Sequence, residues 1–247
     1  MMTTIMIGEL YFPDTERHFQ VFGDGIADYQ RPQREKAFEY VQDWRRAIDL
    51  GANVGIFSRH FAEKFGEVWA IEPLRANIEC LEKNVPNNVL IKKMAVGDEN
   101  REVSIYLTPK SLGGAFVFDH AEVGRPPLKV IDETLMEVVP MVTLDSLELD
   151  HVGLFKLDIQ GSEVIALRGA EQTLKRCRPV ILIEEKPVGG PDGSIEHVEI
   201  ATDLLVSFGY VPKERVGADR VFVFTTDRMR IGATGEWGPL IPRPAEQ

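Results

Sequence analysis

Residues 47–58, AIDLGANVGIFS, constrain this chain more than any other stretch. An apolar run ends at Asp49, breaks at Gly51 and resumes as a helical pattern after Gly55. That order predicts a buried parallel strand, a tight glycine turn and a helix start. The turn needs residues with little side chain, because a ligand approaches its backbone closely. The helix after it opens with backbone N–H groups that have no partner inside the helix. Asp49 and Asn53 lie within reach of whatever binds. A turn that cradles a pyrophosphate keeps negative charge away, whereas Asp49 suits a cationic group such as an amino acid's ammonium.

A second acidic residue follows at a telling distance. Residues 67–71, EVWAI, form another apolar strand, closed by Glu72-Pro73. A carboxylate at a strand end about 20 residues past the glycine turn suits ribose hydroxyls. Both NAD and S-adenosylmethionine carry such a ribose. Gly51-x-Asn53-x-Gly55 lacks the third glycine of G-x-G-x-x-G, and Ile56 stands where that motif wants its last small residue. Asp49 with Glu72 therefore favours adenosylmethionine, and an NAD(P)-dependent Rossmann oxidoreductase is the alternative.

Composition limits the partners. The 247 residues suit one large α/β domain, and 39 Asp and Glu against 28 Lys and Arg give a net charge of −11. That balance makes nucleic acid an unlikely partner and repels anionic membranes. A local basic pocket stays open around Lys92-Lys93 or Lys175-Arg176-Arg178. Two cysteines, Cys80 and Cys177, offer neither a disulfide framework nor metal-ligand spacing. No signal peptide or membrane-spanning run is visible, so a cytoplasmic protein with reduced thiols is expected.

Residues 1–46 read as an N-terminal extension, with a candidate edge strand at 18–22 and a helix starting at Pro32 and running through Phe38, Val41 and Trp44. Tyr29, Gln30 and Arg31 precede that helix as capping residues that can also face a ligand. Residues 47–226 form the core. Phe57, Phe61 and Phe65, four apart, mark a helix packed on a sheet. A helix over 74–84 and a strand over 89–96 follow, the strand leading to Gly97-Asp98. Asp98 is a candidate partner for an adenine amino group, or simply a turn residue. After a strand over 102–107, residues 108–128 hold Pro109, Gly113-Gly114, His120, Gly124 and Pro126-Pro127, which reads as a lid over the acceptor site. Another strand is expected at 138–142. Residues 227–247 are expected to be a flexible tail.

Residues 152–163, VGLFKLDIQGSE, are the second informative stretch. Strand alternation puts Lys156 and Asp158 on one face, and Asp158 stands at the carboxyl end where open parallel sheets bind ligands. Ser162 and Glu163 begin a helix expected to run to Cys177, with capping as their simplest role. Residues 179–185 form a further strand closed by Glu184 and Glu185. One of these is expected to touch the acceptor while the other pairs with a neighbour such as Lys186. A helix over 195–208, with His197 solvated near its start, and a hairpin around Gly217 complete the pattern.

Strands alternating with helices before a terminal hairpin predict a doubly wound, mostly parallel seven-stranded Rossmann-like sheet with an antiparallel edge. The blocks Ile48-Asp49-Leu50-Gly51-Ala52-Asn53-Val54-Gly55, Glu72-Pro73 with Asn77, Gly97-Asp98, Thr143-Leu144-Asp145 and Lys156-Leu157-Asp158-Ile159-Gln160-Gly161-Ser162-Glu163 resemble the FkbM family of class I methyltransferases. Gln160 departs from it, since the family usually has Glu there. The resemblance implies methyl transfer from S-adenosylmethionine, usually to oxygen on a sugar, lipid or natural product. By position it implies that Asp49, Gly51 and Asn53 hold the methionine part, with Gly55 also a cofactor-binding position. Glu72 would bind the ribose and Asp98 with its neighbour Val96 the adenine, with Pro73 and Asn77 also among the cofactor-binding positions. Lys156, Asp158 and Glu163 would line the reaction side.

A hydroxyl acceptor needs its proton removed near the methyl group. Asp158 is the first candidate base, supported by Lys156, with Glu184, Glu185 and His120 behind it. A divalent cation held by Asp158 and Glu184 is an alternative that the sequence permits without requiring. The expected partner is a small-molecule or glycan acceptor, and a homo-oligomer stays open. A non-catalytic adenosylmethionine-binding module is the remaining alternative, with nucleic-acid 2′-O-methylation the weakest.

Overall fold

The computed structural model describes residues 3–106, 116–117, 136–185, 196–225, 229–231 and 237–239. In chain order, a hairpin of β1 (Thr4–Ile7) and β2 (Leu10–Pro13) leads through a 3₁₀ segment to α1 (Arg31–Phe38). Then come β3 (Arg46–Leu50), α2 (Ile56–Ala62), β4 (Glu67–Ile71), α3 (Arg75–Asn84) and β5 (Val89–Lys92). Short strands β6 (Ala95–Val96), β7 (Arg101–Tyr106), β8 (Phe116–Val117) and β9 (Met136–Val142) follow. The second half holds β10 (Val152–Leu157), α4 (Glu163–Arg168), α5 (Glu171–Cys177), β11 (Val180–Glu184), α6 (Glu196–Ser207), β12 (Tyr210–Val216) and β13 (Asp219–Phe224). A small pair, β14 (Met229–Ile231) and β15 (Trp237–Pro239), closes the described chain.

The seven-stranded sheet runs β5-β4-β3-β10-β11-β13-β12, with β3, β4, β5, β10 and β11 parallel and β13 antiparallel to β11. This is the doubly wound class I arrangement that the strand–helix alternation predicts. Every residue of β10 is buried, as expected of a strand covered on both faces. One apolar layer gathers Phe12, Val54, Phe57, Phe61 and Leu154; the other gathers Ile48, Phe155, Leu174, Ile181 and Phe222. Strand order reverses between β3 and β10. In such sheets the crevice outside the carboxyl ends at that reversal is where ligands bind.

The structure corrects several expected boundaries. Residues 18–22 are not an edge strand but the start of a 3₁₀ segment, Phe19–Asp28, bent at Gly23. The Glu16 carboxylate accepts from the backbone N–H groups of His18 and Phe19 there and turns the chain. The helix expected to reach Trp44 stops at Phe38, because the N–H groups of Tyr40 and Val41 close three-residue turns onto Ala37 and Phe38. Residues 89–96 are two strands in two sheets: Met94 N–H bonds to Lys92 C=O, and β6 joins β9 instead of β4. The helix expected over 162–177 breaks at Gly169-Ala170. The Asp145 carboxylate accepts from the N–H groups of Gln172 and Thr173 and so starts α5 separately. The expected lid (108–128), its His120 and Lys186 lie outside the described residues, apart from the backbone of β8. Of the expected tail, only β14 and β15 are described.

Candidate active site

The turn after β3 is built as its residues require. Gly51, Asn53 and Gly55 have φ of 79°, 52° and 94°, a left-handed region that L side chains rarely adopt. The N–H groups of Gly51 and Ala52 both donate to Ile71 C=O at 3.0 Å, which ties the turn to the end of β4. A Cβ on Gly51 would stand 2.0 Å from the Asp158 carbonyl oxygen, so only glycine lets β3 and β10 close at this level.

Behind the turn lies a buried charged cluster. Asp49 and Lys156 are register partners on β3 and β10. The Lys156 ammonium lies 3.7 Å from Asp49 Oδ1, 3.5 Å from Asp158 Oδ2 and 4.6 Å from the centre of the Phe57 ring. Burial opposes that charge, but Asp158 and Asp49 outweigh it and hold the ammonium above the ordinary lysine range. Ser58 Oγ donates to Asp49 Oδ2 at 2.6 Å, whereas Asp49 Oδ1 is buried and has no hydrogen bond. Burial pushes the Asp49 carboxyl up; Lys156 and Ser58 pull it back.

Glu72 forms a second node. Its Oε2 accepts from Asn53 N–H at 2.9 Å, and its Oε1 accepts from Leu74 N–H at 3.0 Å and Asn77 Nδ2 at 3.2 Å. Burial lifts this carboxyl to about 7 despite the three donors. On the far side, Gln160 (φ 55°) donates to Asp158 Oδ1 at 2.7 Å and to Glu184 Oε2 at 3.3 Å. Glu163 accepts from the N–H groups of Ile159 and Gly161, bracing that turn.

One cavity of about 340 Å³ joins these groups. Asp49, Gly51, Asn53, Glu72, Pro73, Asn77, Val96, Lys156, Asp158 and Glu184 all line it. Gly55 does not; it packs beneath Leu81 and Val85. Asp98 and Glu163 are also absent from the wall, Asp98 beside Gly169 and Glu163 beneath its turn. Glu185 points away and holds Arg220 through both oxygens at 2.8 and 2.9 Å. The Gln160 amide spans the space between Asp158 and Glu184 where a shared cation would sit, and among the described residues no group of three or more His, Cys, Asp or Glu forms a metal site.

Residues 49–212 match the family model described as the Methyltransferase FkbM domain. The chain belongs to the FkbM methyltransferase domain family. A curated relative, Methyltransferase 1 of Beauveria bassiana (strain ARSEF 2860), is 22% identical over 143 residues, covering 50% of this chain and 57% of the relative. The chain thus spans little more than half the length of that relative. Among solved structures, the FkbM methyltransferase of Methylobacillus flagellatus KT aligns at 16% identity and a TM-score of 0.47, over 83% of this chain and 54% of that one. The precorrin-6y C5,15-methyltransferase of Geobacter metallireducens GS-15 aligns at 12% identity and a TM-score of 0.40, over 78% and 87%. Among the described residues no helix is long and apolar enough to cross a membrane.

The FkbM match begins at Asp49, so part of the cavity wall lies outside it. His18, Phe19, Tyr29 and Gln30 line the cavity from the N-terminal extension. Arg34, wholly buried, holds that wall in place. It donates to Ile56 C=O at 3.0 Å and Ala27 C=O at 3.1 Å and lies over the Phe57 ring. Burial lowers its guanidinium to about 10. Tyr29 and Gln30 therefore face the ligand space, while Arg31 turns away to Asp28. Sequence reading missed Arg34 and Ser58, which carry no motif. Arg34 stands among other polar residues on α1, RPQREKAF, and nothing in that run sets it apart.

The raised Glu72 carboxyl in this FkbM domain makes a pH prediction. The folded value lies above the unfolded one, so its stabilising effect is complete below 4.5 and is lost as pH rises through about 7. The loss is about 3 kcal/mol for that group. Glu72→Gln, which imitates the protonated form, is expected to flatten this part of the profile in denaturant unfolding between pH 5 and pH 8. Parallel profiles for the two proteins would refute it.

Proposed function

We propose that this protein transfers a methyl group from S-adenosylmethionine to a hydroxyl oxygen on a small-molecule or glycan acceptor. One observation carries the cofactor reading: a buried carboxylate oxygen of Asp49, without a hydrogen-bond partner, at the wall of a cavity that a second buried acid, Glu72, also lines. Lys156 stands 3.7 Å from this oxygen without a hydrogen bond to it, so an acceptor position stays open, and the ammonium of the methionine part can fill it. The glycine turn leaves its backbone open to the ligand, and Glu72 is placed for ribose hydroxyls. The residues present fit the cofactor, and FkbM membership supports the same reading.

When bound, the cofactor would supply a methyl group already activated on a sulfonium. The chain's task is then positioning and proton removal. Asp158 is at the carboxyl end of β10, with Gln160 fixing one oxygen and Lys156 beside the other. Those contacts hold it in one orientation, so that it can accept the acceptor's proton. Glu184, joined through the same Gln160 amide, bounds the acceptor side. Lys156, 3.5 Å from Asp158 Oδ2, is a positioning group.

The test uses methyl-labelled adenosylmethionine against pooled small-molecule and glycan fractions, alongside calorimetry with adenosylhomocysteine. Asp158→Ala is expected to keep adenosylhomocysteine affinity within about tenfold while label transfer falls by roughly 10²–10⁴. Affinity without transfer by the unmodified protein would favour a binding module. A fluorescence response to NADH without adenosylhomocysteine binding would favour an oxidoreductase.

A further inference from the structure

Tyr29 and Gln30 stand at one particular end of the cavity. Sheet order puts the end of β4, with Glu72, three strands from the end of β11, with Glu184, a separation of about 14 Å. Helix α1 packs against β11 and β13. In its first turn Gln33 lies so close to Gly217, between β12 and β13, that a Cβ there would meet Gln33 Nε2 at 2.9 Å. Two residues on from that turn, Asp219 is the register partner of Glu184. Tyr29 and Gln30 lead directly into α1, so they line the cavity from the end that holds Asp158 and Glu184.

The Tyr29 ring is set in place by its own segment. Phe22 and Phe19 pack edge-on against it with ring centres 5.0 and 5.1 Å away, an arrangement that aromatic quadrupoles favour. His18 completes the cluster at 6.3 Å. Glu16 fastens one end of the segment through the N–H groups of His18 and Phe19, and Arg34 fastens the other through Ala27 C=O. Phe57, also in the cavity wall, is already engaged by the Arg34 guanidinium and the Lys156 ammonium, 4.8 and 4.6 Å from its centre. Gln30, at a left-handed φ of 52°, adds an amide with both donor and acceptor. Aromatic surface beside a few fixed polar groups is the usual composition of a small-molecule pocket.

We propose that Tyr29 and Gln30 form the acceptor subsite, and that the acceptor is a hydroxylated ring. Its apolar face lies on the wall of Tyr29, Phe19 and His18, while its hydroxyls meet Gln30 and Asp158. Acceptor choice is then set in part by residues 18–30, ahead of the stretch that matches the FkbM domain. A saccharide and a phenol share this chemistry, a ring face with hydroxyl groups at its rim. An acyclic alcohol would leave the wall unfilled. The proposal rests on the methyl-transfer reading above.

The experiment measures label transfer from methyl-labelled adenosylmethionine to three separate pools, neutral saccharides, phenols and acyclic alcohols, at limiting acceptor. Transfer is expected to a ring pool, and which of the two takes the label identifies the source. Tyr29→Ala should lower that transfer about tenfold, and Tyr29→Phe should restore it to within about twofold. Adenosylhomocysteine affinity, read by calorimetry, should stay within about twofold in both variants. Tyr29→Leu, which keeps bulk without an aromatic face, should repeat the loss if the alanine variant folds poorly. Unchanged transfer by Tyr29→Ala and Tyr29→Leu, or label confined to acyclic alcohols, would overturn the subsite and leave methyl transfer standing. A loss that appears in adenosylhomocysteine affinity instead would assign the wall to the cofactor and overturn it too. An unmodified protein that labels no pool would overturn the methyl-transfer reading and this proposal together.

Discussion

Asp49→Asn is expected to bind adenosylhomocysteine roughly 100-fold more weakly than the unmodified protein while unfolding no more easily. The two effects have the same source. Asp49 is a fully buried carboxylate whose Oδ1 has no hydrogen bond, with the Lys156 ammonium 3.7 Å away. Asparagine keeps an acceptor for Ser58 and removes the charge. Lys156 is not stranded, because Asp158 remains 3.5 Å from it. Relief of the buried charge should leave stability unchanged or raise it by about 1 kcal/mol. Binding loses a charge-assisted contact in a water-poor site, about 2–3 kcal/mol. Differential scanning calorimetry and titration calorimetry on the same preparations read both signs. A variant that is destabilised yet binds normally would assign Asp49 to the fold and remove the basis for a cationic ligand.

Gly51→Ala carries a large expected structural cost. Its φ of 79° already disfavours a side chain, and the new Cβ would lie 2.0 Å from the Asp158 carbonyl oxygen and 3.1 Å from Ile159 Cγ2. The obstructing atom is backbone in a paired strand end, so relief requires β3 and β10 to part. We expect a loss of about 3 kcal/mol or more, near 10 °C in melting temperature for a chain of this size. Gly55→Ala is the internal comparison. Its φ is larger at 94°, but its Cβ meets only the ends of the Leu81 and Val85 side chains, at 2.6 and 2.8 Å. It should lose about half as much. Equal losses would show that dihedral strain, and not the close approach of the two strands, sets the cost at Gly51.

The parts of the molecule legible in sequence are those with strong local grammar. Periodicity and glycine punctuation indicated β3, β4, β10 and β11, and strand-end logic brought Asp49, Glu72, Asp158 and Glu184 toward one crevice. What escaped was decided by contacts between distant segments. Nothing near Gly169 says that Asp145, 27 and 28 residues before Gln172 and Thr173, will cap them and split a helix. Nothing in the sequence 89–96 says that its last two residues will leave one sheet for another. The cavity wall from residues 18–30 was visible only as aromatic residues and a glutamine. Its placement depends on Arg34 reaching two carbonyls, and that is a tertiary fact.

A second sheet runs β6-β9-β7-β8, with β7 antiparallel to β9. Tyr106 and Met136 are register partners on β7 and β9, so the 29 intervening positions, 107–135, depart and return at adjoining points. Closing such a span depends only weakly on its length. A change of length between these two strand ends therefore costs the β7–β9 pairing little.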